Sequence, residues 1–264
     1  MFKSTPIKAM RRLQGFEIAR VDGTDHEFPP HGHDEFIIGA NIIGRENVRL
    51  DRDEFDASTD DVTLYNPGQI QSGGSAGSRW VFVSIYVSTE FMLSLNGNGL
   101  PSEFQEPSFH SNAFAARVRQ FAGLGLDRSF SKLEVTESLV DLLDDLMNVA
   151  GAKAQPGTSC TGSSSARVAA RLIDDMTADV TLYDLSLSEG LTPVQLVRAF
   201  KREFGQPPFA WLATQRLKLA RQRLSGGEKP ADVAADLGFS DQAHLTRRFR
   251  AAYGTTPGAY AQVK

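Results

Sequence analysis

The sequence holds a single cysteine, Cys160, so no disulfide can close within the chain, and a reducing compartment fits. It has no apolar run of membrane-spanning length. Its longest, Trp80 to Val87, is interrupted by Ser84 and falls far short of the roughly 20 residues a span requires. Lys3, Lys8, Arg11 and Arg12 open the chain, but no apolar stretch of signal-peptide length follows, so a cytoplasmic protein is expected. A Gly-rich phosphate loop and a nucleophile elbow are both missing, and no solenoid repeat is found. No cofactor is expected. What is present has globular proportions: 264 residues, 41% hydrophobic and 23% charged, enough for two domains of about 100 to 200 residues each.

The net charge of −4 conceals a change of sign along the chain. Residues 1–165 carry 14 Lys and Arg against 22 Asp and Glu, whereas residues 191–264 carry 12 against 5. A basic C-terminal third suits a surface that meets phosphate, and a solvated basic face without a partner would look the same. The charge changes sign beside Gly151–Ser165, a stretch of small and polar residues with nothing to bury, which predicts a flexible linker. The expected division is therefore residues 1–150, a linker 151–165, and residues 166–264.

Residues 1–90 predict β-structure. Phe36–Ile43 and Asn47–Leu50 form extended apolar segments joined around Gly44, a hairpin candidate. Val62–Tyr65 runs into Asn66-Pro67-Gly68, a strong turn signal. Trp80–Val87 is apolar on both alternating faces, as in a strand covered on both sides or lining an apolar barrel. Residues 111–150 turn helical. Ser131 and Glu134 stand at capping-box spacing, and Leu139, Leu142, Leu143, Leu146 and Met147 fall on one stripe, which packs on its own barrel or forms a dimer seam.

From Ala166 onward the apolar period is helical. Two segments repeat one layout: a short helix, a Gly-centred turn, then an amphipathic helix. In the first, Leu182 and Leu185 precede Gly190 and Thr192-Pro193, an N-cap followed by proline at the first helical position. Leu196, Ala199 and Phe200 then face inward. In the second, Val233, Ala234 and Leu237 precede Gly238, after which Leu245 and Phe249 face inward. This is the logic of the helix-turn-helix, with a small residue for close crossing and glycine for the turn.

These residues resemble the AraC/XylS family of bacterial transcription regulators. The match runs through Gly190-Leu191-Thr192-Pro193, Phe200-Lys201-Arg202, Phe204-Gly205, Pro208, Trp211 and Arg216-Leu217, and ends in the string DLGFSDQAHLTRRFRAAYGTTPGAY. The resemblance implies an α+β two-domain protein, with a cupin-like β-barrel and helical segment ahead of an all-α domain of two helix-turn-helix units. A helix at about Phe209–Leu224 would join the two units. It implies an effector-responsive regulator, with activation the expected sign, double-stranded DNA and RNA polymerase as partners, and homodimers possible in the family. By the same resemblance, base reading falls to Val194, Val197 and Arg198 in the first unit and to Gln242, Ala243, His244 and Arg247 in the second. Val194 and Val197 offer only apolar contact, which shifts the expected readout toward the second unit. Lys201, Arg202, Arg248 and Arg250 suit phosphate contact.

The segment HGHDEFIIGANIIGRENVRL resembles the barrel that precedes this DNA-binding domain in many family members. A metal-binding cupin would need a His pair, a carboxylate and a later His. His31 and His33 supply the pair, but Glu35 comes too soon and Gln71 occupies the later position, so no metal is expected. His31 and His33 then line the polar mouth of an organic-effector pocket or hydrogen-bond loop carbonyls. Trp80, Phe82 and Tyr86 supply its apolar wall or are ordinary core. The protein is not expected to be an enzyme. The rival reading is a metal-dependent cupin enzyme with a helical protein-contact domain.

Overall fold

The computed structural model describes residues 7–24, 26–75, 79–95, 103–149, 162–177, 180–253 and 255–262. Lys3, Cys160, Gly254 and the linker positions up to Thr161 lie outside them. The chain divides into two compact units, Met1–Gly157 and Thr158–Lys264.

The first unit is built on strands β1 (Ile7–Leu13), β2 (Phe16–Asp22), β3 (Phe28–Gly32), β4 (Phe36–Ile43), β5 (Glu46–Leu50), β6 (Asp53–Ala57), β7 (Asp61–Tyr65), β8 (Ile70–Ser75), β9 (Val81–Val87) and β10 (Ser108–His110). They form a six-stranded sheet, β1-β2-β9-β4-β7-β10, and a four-stranded one, β3-β8-β5-β6, antiparallel throughout. Side chains of both sheets line one interior cavity, the arrangement of a cupin-like open barrel. Helix α1 (Thr89–Leu95) follows β9. Helix α2 (Asn112–Leu126) then packs on the outer face of the larger sheet, and α3 (Lys132–Val149) packs on α2.

This layering explains the doubly apolar β9. It lies between β2 and β4, and Val81, Val83, Ile85 and Val87 are buried on the helix side. Ile85 pairs across the ladders with Ile18 and Ile38, all three fully buried. A Cβ at Gly125 of α2 would collide with the Ile18 side chain, so that glycine lets the helix lie close to the sheet. Phe82, Ser84 and Tyr86 face the barrel interior. The stripe of α3 is buried at Leu139, Leu142, Leu143 and Leu146, and its capping box is formed: Ser131 N–H donates to Glu134 Oε2 at 3.0 Å, and Glu134 N–H to Ser131 Oγ at 3.2 Å.

The hairpin expected around Gly44 does not form. β4 pairs with β7 and β9, while β5 pairs with β6 and β8 in the other sheet. The chain turns a barrel corner at Gly44, whose φ of 83° belongs to the left-handed region and whose missing Cβ would strike the Arg79 carbonyl. Local sequence marks the turn correctly but cannot say which partner the next strand takes.

The second unit is helical: α4 (Gly162–Asp174), α5 (Leu182–Ser188), α6 (Pro193–Phe204), α7 (Pro208–Ser225), α8 (Pro230–Asp236), α9 (Gln242–Tyr253) and α10 (Pro257–Ala261). The last four residues of the expected linker, Gly162–Ser165, belong to α4, with Ser164 and Ser165 buried. Ser165, Val168 and Leu172 form one buried stripe, so packing overrides the weak helix propensity of serine. At the end of α6, Phe200, Phe204 and Trp211 of α7 form a ring cluster with centroids 4.5–5.6 Å apart. Leu217, Ala220 and Leu224 of α7 join Val233, Ala234, Leu237, Leu245 and Phe249 in one core.

Candidate functional site

Helices α5–α6 and α8–α9 each form a helix-turn-helix. Gly190 (φ 67°) and Gly238 (φ 71°) occupy the two turns. A Cβ at Gly238 would stand 2.9 Å from the Met176 carbonyl oxygen, so both the backbone angle and the space demand glycine there. Thr192 caps α6 in a reciprocal capping box with Gln195, and Pro193 takes the first helical position. Asp241 caps α9, its Oδ1 accepting from His244 N–H at 2.5 Å. In α5, Ser186 donates to the Tyr183 carbonyl and Ser188 to that of Leu185, and Glu189 just beyond the helix pairs with Arg167 of α4.

On α9, Gln242, Ala243, Arg247 and Arg250 are exposed opposite the buried Leu245 and Phe249, and Arg248 is half-buried. His244 is half-buried. Its ring stands edge-on to Phe239 at 5.4 Å, and Ser240 N–H donates to its Nδ1 at 3.3 Å. Its orientation is thus set from within the protein. On α6, Arg198 and Arg202 are exposed, while Val194 and Lys201 are half-buried. Val197 does not belong with them. It is 2% exposed, on the face of α6 covered by neighbouring helices, and its side chain has no path to a base edge. Residues one position apart on a helix differ by about 100°, which puts Val197 on the core side and Arg198 on the outer side.

The second site lies inside the barrel. A cavity of about 420 Å³ separates the two sheets, and His31, His33, Trp80, Phe82 and Tyr86 all line it. Its origin is visible in the register. Across the larger sheet, Ala19, Ser84, Gly39 and Thr63 stand in one cross-strand row, so the interior is lined with small side chains where large ones would fill it. Ile37, Val48, Leu50, Ala57 and Tyr65 form a cluster that packs another part of the interior.

Each polar wall residue has a definite arrangement. His31 Nδ1 donates to the Pro29 carbonyl at 2.7 Å, and Gln71 Nε2 donates to His31 Nε2 at 3.3 Å. His31 therefore lines the cavity and also hydrogen-bonds a loop carbonyl. His33 Nε2 is buried without a hydrogen-bond partner among the described residues, and its pKa is lowered first by desolvation and then by the neighbouring His31. Trp80 is stacked on Phe82 at 4.5 Å, with Phe28 edge-on at 5.9 Å. Among the described residues, no group of three or more His, Cys, Asp or Glu is placed to hold a metal ion.

Four contributors escaped the sequence reading: Asn41, Phe28, Glu46 and the small-residue row. Glu46 starts β5, lines the cavity, and has its pKa raised to about 8 by desolvation. Gly39 inside the apolar run Phe36–Ile43 was the available signal for the row, but its partners emerge only once strand register is known.

Comparison with known proteins decides the family. The AraC-like ligand binding domain family matches residues 13–147, and a helix-turn-helix domain family matches residues 185–262. The chain belongs to the AraC family. Relatives in the family include the uncharacterized HTH-type transcriptional regulator YbfI of Bacillus subtilis (strain 168), 25% identical over 87% of this chain and 85% of its own. Another is the arabinose operon regulatory protein of Escherichia coli (strain K12), 26% identical over 88% of this chain and 82% of its own. Among solved structures, ToxT from Vibrio cholerae O395 aligns over 94% of this chain and 98% of its own, with a TM-score of 0.37 and 11% identity, a distant likeness. As an AraC-family protein the chain is a transcription regulator, in which a small-molecule-binding N-terminal domain accompanies a helix-turn-helix DNA-binding region. No helix among the described residues is long and apolar enough to cross a membrane.

Proposed function

We propose that the chain is an effector-controlled activator, with a sensor at residues 1–150 and a DNA-binding domain through residue 264, joined by a connector ahead of Gly162. One observation carries this reading: five side chains from two segments distant in sequence, His31 and His33 on one and Trp80, Phe82 and Tyr86 on the other, converge on one cavity in the unit that precedes two helix-turn-helix motifs whose second helices are basic. The regulators NphR of Rhodococcus sp and VirF of Yersinia enterocolitica, named as activators, match this chain at 37% identity over 31% of it and 36% over 22%. That similarity supports activation, and with it contact to RNA polymerase. The naming of relatives such as YbfI, the arabinose operon regulatory protein, NphR and VirF as regulators supports a protein without catalytic activity, working in the cytoplasm.

In this reading Gln242, Ala243, His244 and Arg247 read base edges from α9, joined by Val194 and Arg198 from α6. Arg247 and Arg198 suit guanine, and Gln242 suits adenine. Lys201, Arg202, Arg248 and Arg250 meet phosphates, which position the protein without specifying sequence. An effector acts by binding one conformation of the sensor better than another, shifting the population competent for activation. Two copies per operator follow if α3 also serves as a seam.

The test is fluorescence anisotropy of the full chain on fragments from upstream of its own and neighbouring genes. Selective binding with a steep salt dependence is expected. Equal affinity for every fragment and for random-sequence DNA at physiological salt would end the proposal.

A further inference from the structure

The cavity holds a carboxylate that the protein leaves without a cation. Glu17 is paired with Arg12. Glu46 has neither an ion pair nor a hydrogen bond to its carboxylate among the described residues. Its Oε1 lies over Gly73, where a Cβ would stand 2.9 Å away, so the glycine provides the room the carboxylate occupies. Phe28 pairs in register with that same Gly73, and its ring meets Trp80 and Phe82 edge-on at 5.9 and 6.1 Å. An acidic group and an aromatic box therefore face the same part of the interior.

Of the basic side chains described in the cavity lining, Arg12 is paired with Glu17 and His31 is bonded through Nδ1 to the Pro29 carbonyl, and neither is paired with Glu46. Burial raises the pKa of Tyr65 of β7, with Glu46 next in effect, and that of Tyr86 of β9, with Glu17, Glu35 and Glu46 in lesser part. Asp53, Glu54 and Asp56 of the adjoining β6 are exposed, and Glu35 lines the cavity as a further acid. His33 is held toward its neutral form, and its buried Nε2 has no partner among the described residues. An anionic ligand would meet repulsion here. A neutral one would leave a carboxylate desolvated or protonated.

We propose that the cavity takes an organic cation, a primary amine on an aromatic body, with its ammonium on Glu46 and its ring against Phe28, Phe82 and Tyr86. The ammonium brings the donors and the charge this wall lacks, and the aromatic faces add cation–π attraction. This rests on the reading of the barrel as the effector sensor. In the free protein Glu46, with a pKa of about 8, is mostly protonated at neutral pH. Pairing with an ammonium releases that proton to solvent, so affinity rises with pH up to about 8.

The experiment is calorimetric titration and thermal shift of the full chain with phenethylamine, benzylamine and tryptamine, against 2-phenylethanol and 3-phenylpropanoate. The expected result is amine binding, with the alcohol at least about tenfold weaker and the acid silent. Amine affinity should rise up to about tenfold per pH unit between about pH 6 and 8, with close to one proton released in buffers of different ionisation heat. Glu46→Gln should retain the unliganded melting temperature or raise it, while losing at least about tenfold in amine affinity and the pH dependence. Failure of every amine to bind, equal binding of the alcohol, or undiminished amine binding by Glu46→Gln overturns the proposal. DNA affinity measured alongside separates the two readings. A neutral or anionic compound that binds the barrel and shifts DNA affinity sinks the cation but keeps the sensor, whereas amine binding that leaves DNA affinity and transcription unchanged sinks the sensor alone.

Discussion

The indole Nε1 of Trp80 donates to Asn41 Oδ1 at 2.8 Å, with both residues buried. Asn41 Nδ2 in turn donates to the Ala57 carbonyl at 2.9 Å, and Arg119 of α2 donates to the Asn41 carbonyl at 3.0 Å. Asn41 thus joins the aromatic wall and the end of β6 through its side-chain amide and the covering helix through its main-chain carbonyl. Asn41→Leu leaves the indole N–H buried and unpaired, and should cost about 1–3 kcal/mol in urea unfolding. A double mutant cycle with Trp80→Phe should show coupling between the two positions, and strict additivity would refute the linkage.

Glu46 makes the sensor unit's stability depend on pH. The folded state retains a proton that the unfolded chain releases near the ordinary glutamate pKa, so stability falls as pH rises from about 4.5 to about 8 and levels off above. The slope should reach up to about 1.4 kcal/mol per pH unit. Glu46→Gln should flatten it, as followed by denaturant midpoints across that window.

The base-reading role proposed for Arg247 and the packing role of Val197 predict different losses. Arg247→Ala should cost about 1–3 kcal/mol of site-specific affinity and relax preference at one base pair, with unfolding unchanged. Val197→Ala should instead lower stability by about 1–3 kcal/mol through the cavity it leaves, with the specificity ratio unaltered. Arg250→Ala should weaken binding to all sequences alike and reduce the salt slope by about one. Anisotropy titrations over a salt series distinguish the three.

The small-residue row predicts a way to close the cavity from inside. Ala19 lines it and is buried. Ala19→Leu should fill empty space with little or no loss of melting temperature, and should abolish ligand-induced thermal shifts while leaving DNA affinity intact. Retained ligand binding by this variant would place the ligand elsewhere.

The helical unit was the more legible half of the sequence, because its signals are local. Thr192-Pro193, Gly190 and Gly238 dictate caps and turns within a few residues, and each does so in the structure. The barrel was legible as strands but not as sheets: whether β5 pairs with β4 or with β8 is a long-range choice that the turn at Gly44 leaves open. The cavity was half legible. Histidines and aromatics advertise themselves, whereas Glu46 is one acid among many until the fold half-buries it in the cavity wall. Val197 was misassigned for a related reason: motif position alone does not reveal which side of a helix its neighbours cover.

Helix α7 spans 18 residues, about 27 Å, and is clamped at both ends, by the Phe200–Phe204–Trp211 rings at its start and by Arg223 bonded to Glu228 and Asp236 at its finish. Such a rod acts as a caliper of fixed opening. Two contact patches carried on it keep a constant phase, and a duplex whose subsites are one base pair further apart turns the second away by about 35°. Operators for this protein should accordingly tolerate substitutions between their subsites far better than insertions.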